Sequence, residues 1–198
     1  MYYLIGIILF IIWLYLLHVL KKSKLNFWHF VVGSAGLFIF MMVYLRPVLT
    51  QPLARVIAAI AGIPGGIFDL YTAYFKYGII FVQSAEGAIS LMIDFECSGV
   101  IEIFAFVSLL LFYNVYTKIE KVIVALVGVS SLILANAIRI TVICIIIHFM
   151  GVSAYYVAHA FIGRIVFYAF SVALYFYVFT KPQIIKQRVG GFNYANDK

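Results

Sequence analysis

Residues 122–150 form an unbroken apolar stretch whose single formal charge is Arg139. Twenty-nine residues rising 1.5 Å each make a helix of about 43 Å, against a hydrocarbon core of roughly 30 Å. Such a segment can only be a membrane helix, and it is expected to tilt, kink or break. Asn136 and Arg139, three residues apart and so on one helical face, mark the expected place.

The rest of the chain agrees with a membrane setting. Hydrophobic residues make up 66% of the 198 and charged residues 11%, where a soluble domain is nearer half and a quarter. The expectation is an all-α polytopic membrane protein of about five to seven transmembrane helices, forming a single membrane domain over 1–198. Its parts are two N-terminal spans in 1–46, an extracytoplasmic or interfacial region in 47–97, core helices in 98–180 and a basic tail in 181–198. The first apolar run begins directly after Met1 and is followed by "KKSK" at 21–24, which reads as a retained span rather than a removable signal. Further spans are expected at about 27–45, 98–116 and 159–179.

The net charge of +7 does not point to nucleic acid, because the cations sit in small clusters between apolar runs. Lys21, Lys22, Lys24, Lys118, Lys121, Lys181, Lys186, Arg188 and Lys198 all fall on one side of the expected topology. That side is cytoplasmic by the positive-inside rule. The protein is thus expected in the plasma membrane with its N-terminus outside and its C-terminus in the cytoplasm. Residues 48–62 suit a short interfacial helix, broken by "GIPGG" at 62–66. "YGIIFVQ" and "AISLMIDF", flanking "SAEG", suit a β-hairpin ahead of the cysteine motif.

Polar residues are few enough in this chain for each to need a reason. In "IDFECSGVIEIF", residues 93–104, Cys97 stands at the mouth of a span among Asp94, Glu96, Ser98 and Gly99. A helix N-terminus there would favour a thiolate, and Glu96 would oppose it. Arg139 lies roughly 26 Å above the cytoplasmic end of its helix, a depth that costs about 2.5–3.5 kcal/mol unless the guanidinium is paired or functional. His159 opens the last span. Three helices would bring these residues to one depth near the extracytoplasmic face. A thiol, a base and a cation for a developing oxyanion make a set suited to acyl transfer. Cys144, in "VICIII", reads as packing, and a Cys97–Cys144 disulfide is disfavoured. No metal-ligand spacing and no phosphate loop occur in the sequence, so no cofactor is expected.

"ECSGVIEIF", "ANAIRI" and "AHAFIGRIVFY" resemble the exosortase/archaeosortase family over roughly residues 78–180. The compact type found in Gram-positive bacteria, type G, is the most similar. The resemblance implies a multi-pass membrane cysteine protease or transpeptidase, with Cys97 as nucleophile and His159 as acid/base. Arg139 would stabilise the oxyanion or orient the substrate, with Asn136, Ser98 and Gly99 supporting the site. It also implies partners anchored in the lipid bilayer, carrying a C-terminal motif, a transmembrane helix and a basic tail. Two other readings of the residues stay open. A small transporter or channel would use Arg139, Glu102 and His159 as a polar path. An assembly protein would use the same residues for helix packing. Glu102 and Arg164, each five residues inward of Cys97 and His159, are expected to form an ion pair beneath the site.

Overall fold

A computed structural model describes residues 2–85 and 87–190. Helix α1 covers Tyr2–Lys22, α2 Asn26–Tyr44 and α3 Arg46–Phe68. Three strands follow: β1 Tyr71–Tyr74, β2 Ile79–Ser84 and β3 Gly87–Met92. Helix α4 is Val100–Phe112 and α5 is Lys118–Met150. The last apolar span is Val152–Ile185. Among the described residues α2, α3, α5 and the last span are long and apolar enough to cross a membrane, and α1 and α4 are apolar as well. The protein is a polytopic α-helical membrane protein carrying one small sheet.

Helix α5 is continuous, so of the expected tilt, kink or break the break does not occur. It begins with a capping box, in which Thr117 accepts from the Glu120 amide while the Glu120 carboxylate accepts from the Thr117 amide at 2.7 Å. It runs 33 residues, about 50 Å, to Gly151. The length that exceeds a bilayer core is covered by other elements. Its C-terminal half, from Ala137 to Ile147, packs with Ile57, Ala58 and Ala61 of α3 and with Ile80 and Val82 of β2 in one buried cluster. Its N-terminal half packs in a second cluster with Ile103, Phe106 and Leu110 of α4 and Phe167 of the last span. Small residues let α5 pack closely: Gly128 lies under Phe106, where a Cβ would come within 2.2 Å of the ring, Ala135 is buried and Ser131 is half-buried.

Helix α3 passes through "GIPGG" without a break and holds both Pro52 and Pro64. The glycines serve close packing here. A Cβ on Gly65 would stand 2.7 Å from the Tyr71 carbonyl oxygen, and one on Gly62 would stand 2.7 Å from the Ala73 Cβ. Both residues are therefore where β1 lies against the helix. The Tyr71 hydroxyl fixes the contact by donating to the Ala61 carbonyl at 2.6 Å. The turn comes later, at Asp69 with φ 52°.

The expected hairpin is present as β2 and β3, in register from Ile79–Met92 to Ser84–Gly87. Strand β1, which was not expected, adds to its far side to give the antiparallel order β1-β2-β3. Helix α4 is shorter than the expected 98–116. The chain turns extended at Tyr113, and the hydroxyls of Tyr113 and Tyr116 donate to the carbonyls of Phe179 and Val178 at 2.6 and 2.7 Å. Those carbonyls belong to a π-helical turn, Phe176–Thr180, in the last span. A π-turn lets carbonyls escape the helical ladder, and the two tyrosines take them up. The last span starts earlier than the expected 159 and continues into the helix Lys181–Gly190. The remainder of the expected basic tail, 191–198, lies outside the described residues.

Candidate active site

The polar residues around Cys97 build a turn. The Asp94 carboxylate accepts from the amides of Glu96 and Cys97 at 3.0 and 3.1 Å, and Ser98 Oγ donates to the Phe95 carbonyl at 3.1 Å. Gly99 closes the turn at φ 68°, in the left-handed region that glycine occupies without strain. It also leaves room for Asn136, whose Nδ2 would be 3.3 Å from a Cβ there. The Arg46 guanidinium covers the Phe95 ring at 4.4 Å and ties the turn to the start of α3.

Asn136 is fully buried on α5 and its Nδ2 donates to the Cys97 carbonyl at 2.5 Å. From the last span, His159 Nε2 lies 3.7 Å from Cys97 Sγ, within hydrogen-bond reach for sulfur. His159 sits in a π-helical turn, Ala158–Ile162, and its ring stacks on Tyr155 with centroids 5.5 Å apart. Gly163 follows directly, where a Cβ would stand 2.7 Å from Ile143 Cδ1, so this end of the span presses close to α5. One extra residue in the turn rotates the histidine relative to the helix below it.

Arg139 is 5% exposed, one turn along α5 from Asn136, with its guanidinium 5.9 Å from the Phe167 ring. Its Nε has no hydrogen-bond partner, and neither has Glu102 Oε2. The Arg139 charge favours the Cys97 thiolate, against the burial of the thiol. The expected Glu102–Arg164 ion pair is absent: one carboxylate oxygen of Glu102 is buried without a partner, while Arg164 is exposed. The reason is rotational. Five residues along two helices fixes a common depth but not a common direction, and the π-turn between His159 and Arg164 turns Arg164 outward.

The helix-dipole expectation for Cys97 is also corrected. Gly99 caps α4, so Cys97 lies two residues outside the helix, and its amide is held by Asp94. Burial pushes the thiol up to about 11; Asp94 and Glu96 push the same way, and the Arg139 charge opposes them. On balance these influences favour the neutral thiol over the thiolate. Below the thiol's pKa the thiolate fraction rises about tenfold per pH unit. Alkylation of Cys97 by a small neutral reagent should climb steadily from pH 7 to beyond pH 10. A plateau reached at or below neutrality would show a preformed thiolate instead. Cys144 is buried and unpaired, and both cysteines are free thiols.

Cys97 and His159 open on a cavity of about 210 Å³, lined also by Ile89–Ile93, Ile140, Ile143 and Tyr155. A second, larger cavity of about 980 Å³ lies between α2, α4 and the last span and includes Glu102 and Ser171. The two share no lining residue, and Arg139 lines neither. Among the described residues no group of three His, Cys, Asp or Glu is placed to hold a metal. Two contributors were not singled out from the sequence. Asp94 carried a signal in being an Asx residue three before the cysteine, a common turn former. Tyr155 stands four residues before His159, the spacing of stacked neighbours on a helix.

The fold and site define a class: a polytopic membrane protein whose buried cysteine meets a half-buried histidine beneath a small sheet. The family model for the transmembrane exosortases (Exosortase_EpsH) matches residues 2–177. The chain belongs to the transmembrane exosortase family. No curated protein and no solved structure matches it.

Proposed function

We propose that the protein is a cysteine transpeptidase or protease that cuts the C-terminal sorting signal of membrane-anchored partner proteins. The observation that carries this reading is the 3.7 Å approach of His159 Nε2 to Cys97 Sγ at a cavity mouth, from two different elements. As Sγ bonds to the scissile carbonyl carbon, the thiol proton passes to His159 Nε2. The carbonyl π electrons move onto oxygen, and the Arg139 charge stabilises the resulting oxyanion. His159 then returns the proton to the leaving amine as the C–N bond breaks, leaving a thioester on Cys97. An amine or water attacks the thioester, gives a proton to His159, and releases Cys97 as a thiol.

The site faces the extracytoplasmic side in this reading. The Cys97 turn meets Arg46 next to one end of α2 and His159 at one end of the last span, whereas Lys21, Lys22, Lys118, Lys121 and Lys181 mark other helix ends. Basic residues mark the cytoplasm, which supports this orientation. A channel reading finds less support, because the cavity at His159 and the cavity at Glu102 have separate linings. The test is a comparison of membrane-protein C-termini in cells with and without this protein. At least one protein ending in an apolar helix and a basic tail should lose that ending only when the protein is present. Identical C-termini in both cells would contradict the proposal.

A further inference from the structure

The cavity over Cys97 has an unusual wall. Ile89, Ser90, Leu91, Met92 and Ile93 all line it. Side chains along a strand point alternately to opposite faces, so five consecutive residues can share one cavity only along the strand's edge. β3 is the last strand of the order β1-β2-β3; among the described residues no strand pairs with its second edge, and the turn Val152–Ala154 comes close to β3. The opposite sheet edge, β1, is packed against α3.

The phase of β3 identifies which backbone groups are free. The Ile93 amide donates to the Gly78 carbonyl at 2.9 Å, toward the β2 side. In an antiparallel ladder the groups alternate, so Leu91 and Ile89 also face β2, and Met92, Ser90 and Ala88 direct N–H and C=O to the open side. Natural proteins usually protect such an edge with Lys, Pro or a bulge. "GAISLM" has neither residue, and its register with β2 is unbroken.

We infer that this free edge of β3 is the substrate's docking site: an extended peptide pairs with Ala88, Ser90 and Met92 as a fourth strand and is thereby led to Cys97. The inference rests on the proposed function, which supplies the occupant. Backbone pairing holds the peptide whatever its side chains, as in other cases of strand addition. A cavity of about 210 Å³ is smaller than the ~300–1,000 Å³ of typical small-ligand pockets, which suits a strand with small side chains rather than a compact ligand. β3 runs toward Cys97, and the proposed substrate continues past its scissile bond into the membrane. The added strand therefore runs parallel to β3, with the residues upstream of the cut along the edge.

The test needs no knowledge of the natural substrate. The purified full chain in detergent is treated with acetyl-tetraalanine chloromethyl ketone and, separately, with the single-alanine reagent. In both, Sγ bonds to the methylene carbon, chloride leaves, and the thiol proton goes to His159. The longer reagent should label Cys97 at least ~10-fold faster, the gain expected of one or two added backbone hydrogen bonds. Ser90→Pro removes one outward N–H and leaves the β2–β3 ladder intact, as edge strands allow. It should shrink the ratio of the longer reagent's rate to the single-alanine rate toward one, whatever it does to the single-alanine rate itself. N-methylation of alternate amides of the tetrapeptide should do the same on the unaltered protein. Equal rates for the two reagents, or full retention of the advantage after both changes, would overturn strand addition while leaving Cys97 as nucleophile. No labelling of Cys97 by either reagent would instead overturn the proposed function itself.

Discussion

Cys97→Ala abolishes substrate processing, by at least ~10³-fold, while the protein still inserts and folds. The remaining lining residues are apolar apart from Ser90, Tyr155 and His159, and it is the Cys97 sulfur that the His159 ring nitrogen approaches. The substitution removes one sulfur atom from a turn held by Asp94, Ser98, Gly99 and Asn136, so the fold does not depend on it. Cys144→Ala is the control. That thiol is buried in the cluster formed by α3, the sheet and α5, so its loss affects packing and leaves processing nearly unchanged. The check is to measure both variants in the same cells, together with their membrane yield. Residual processing by Cys97→Ala above a few per cent of the unaltered level would remove the nucleophile from this position.

Arg139→Lys lowers processing by about 10²–10³-fold although the charge is kept. The planar guanidinium lies near Phe167 and has an unpartnered Nε, so it can present a directed N–H where a lysine ammonium, compact and strongly hydrated, cannot. A buried ammonium would also be drawn toward Glu102, away from the thiol. The discriminating readout is alkylation of Cys97 by a small neutral reagent. Its rate should stay within a few-fold in the lysine variant, because the thiol remains accessible and the turn is unaltered. Processing at the unaltered rate would mean that Arg139 serves only as a point charge. Loss of both processing and alkylation would assign it a structural role.

Hydropathy made the membrane helices legible because a helix in lipid must be apolar over its whole length. The same rule says little about where such a helix may stop. The long apolar segment of α5 was read as one that must tilt, kink or break, since a sequence does not reveal that α3 and a sheet will cover the excess. "GIPGG" was read as a break because glycine and proline usually interrupt helices; here two of the glycines serve the approach of β1. The short strand β1 has no hydrophobic alternation long enough to announce it, and it depends on β2 and α3 for its place. At the site, depth was legible from residue counts and direction was not. Counting brought Cys97, Arg139 and His159 to one level. The same counting placed Arg164 beside Glu102, where the π-turn at Ala158–Ile162 turns it away. The thiol's environment was misjudged by two residues, because the helix begins after Gly99 and not at Cys97.

A thioester on Cys97 is tested most directly by the mass of the intact protein isolated during turnover of a processed partner. The expected result is an added mass equal to the partner's upstream fragment, located on the peptide containing Cys97 and released by hydroxylamine. Steady processing with no adduct on Cys97, or an adduct on another residue, would contradict it.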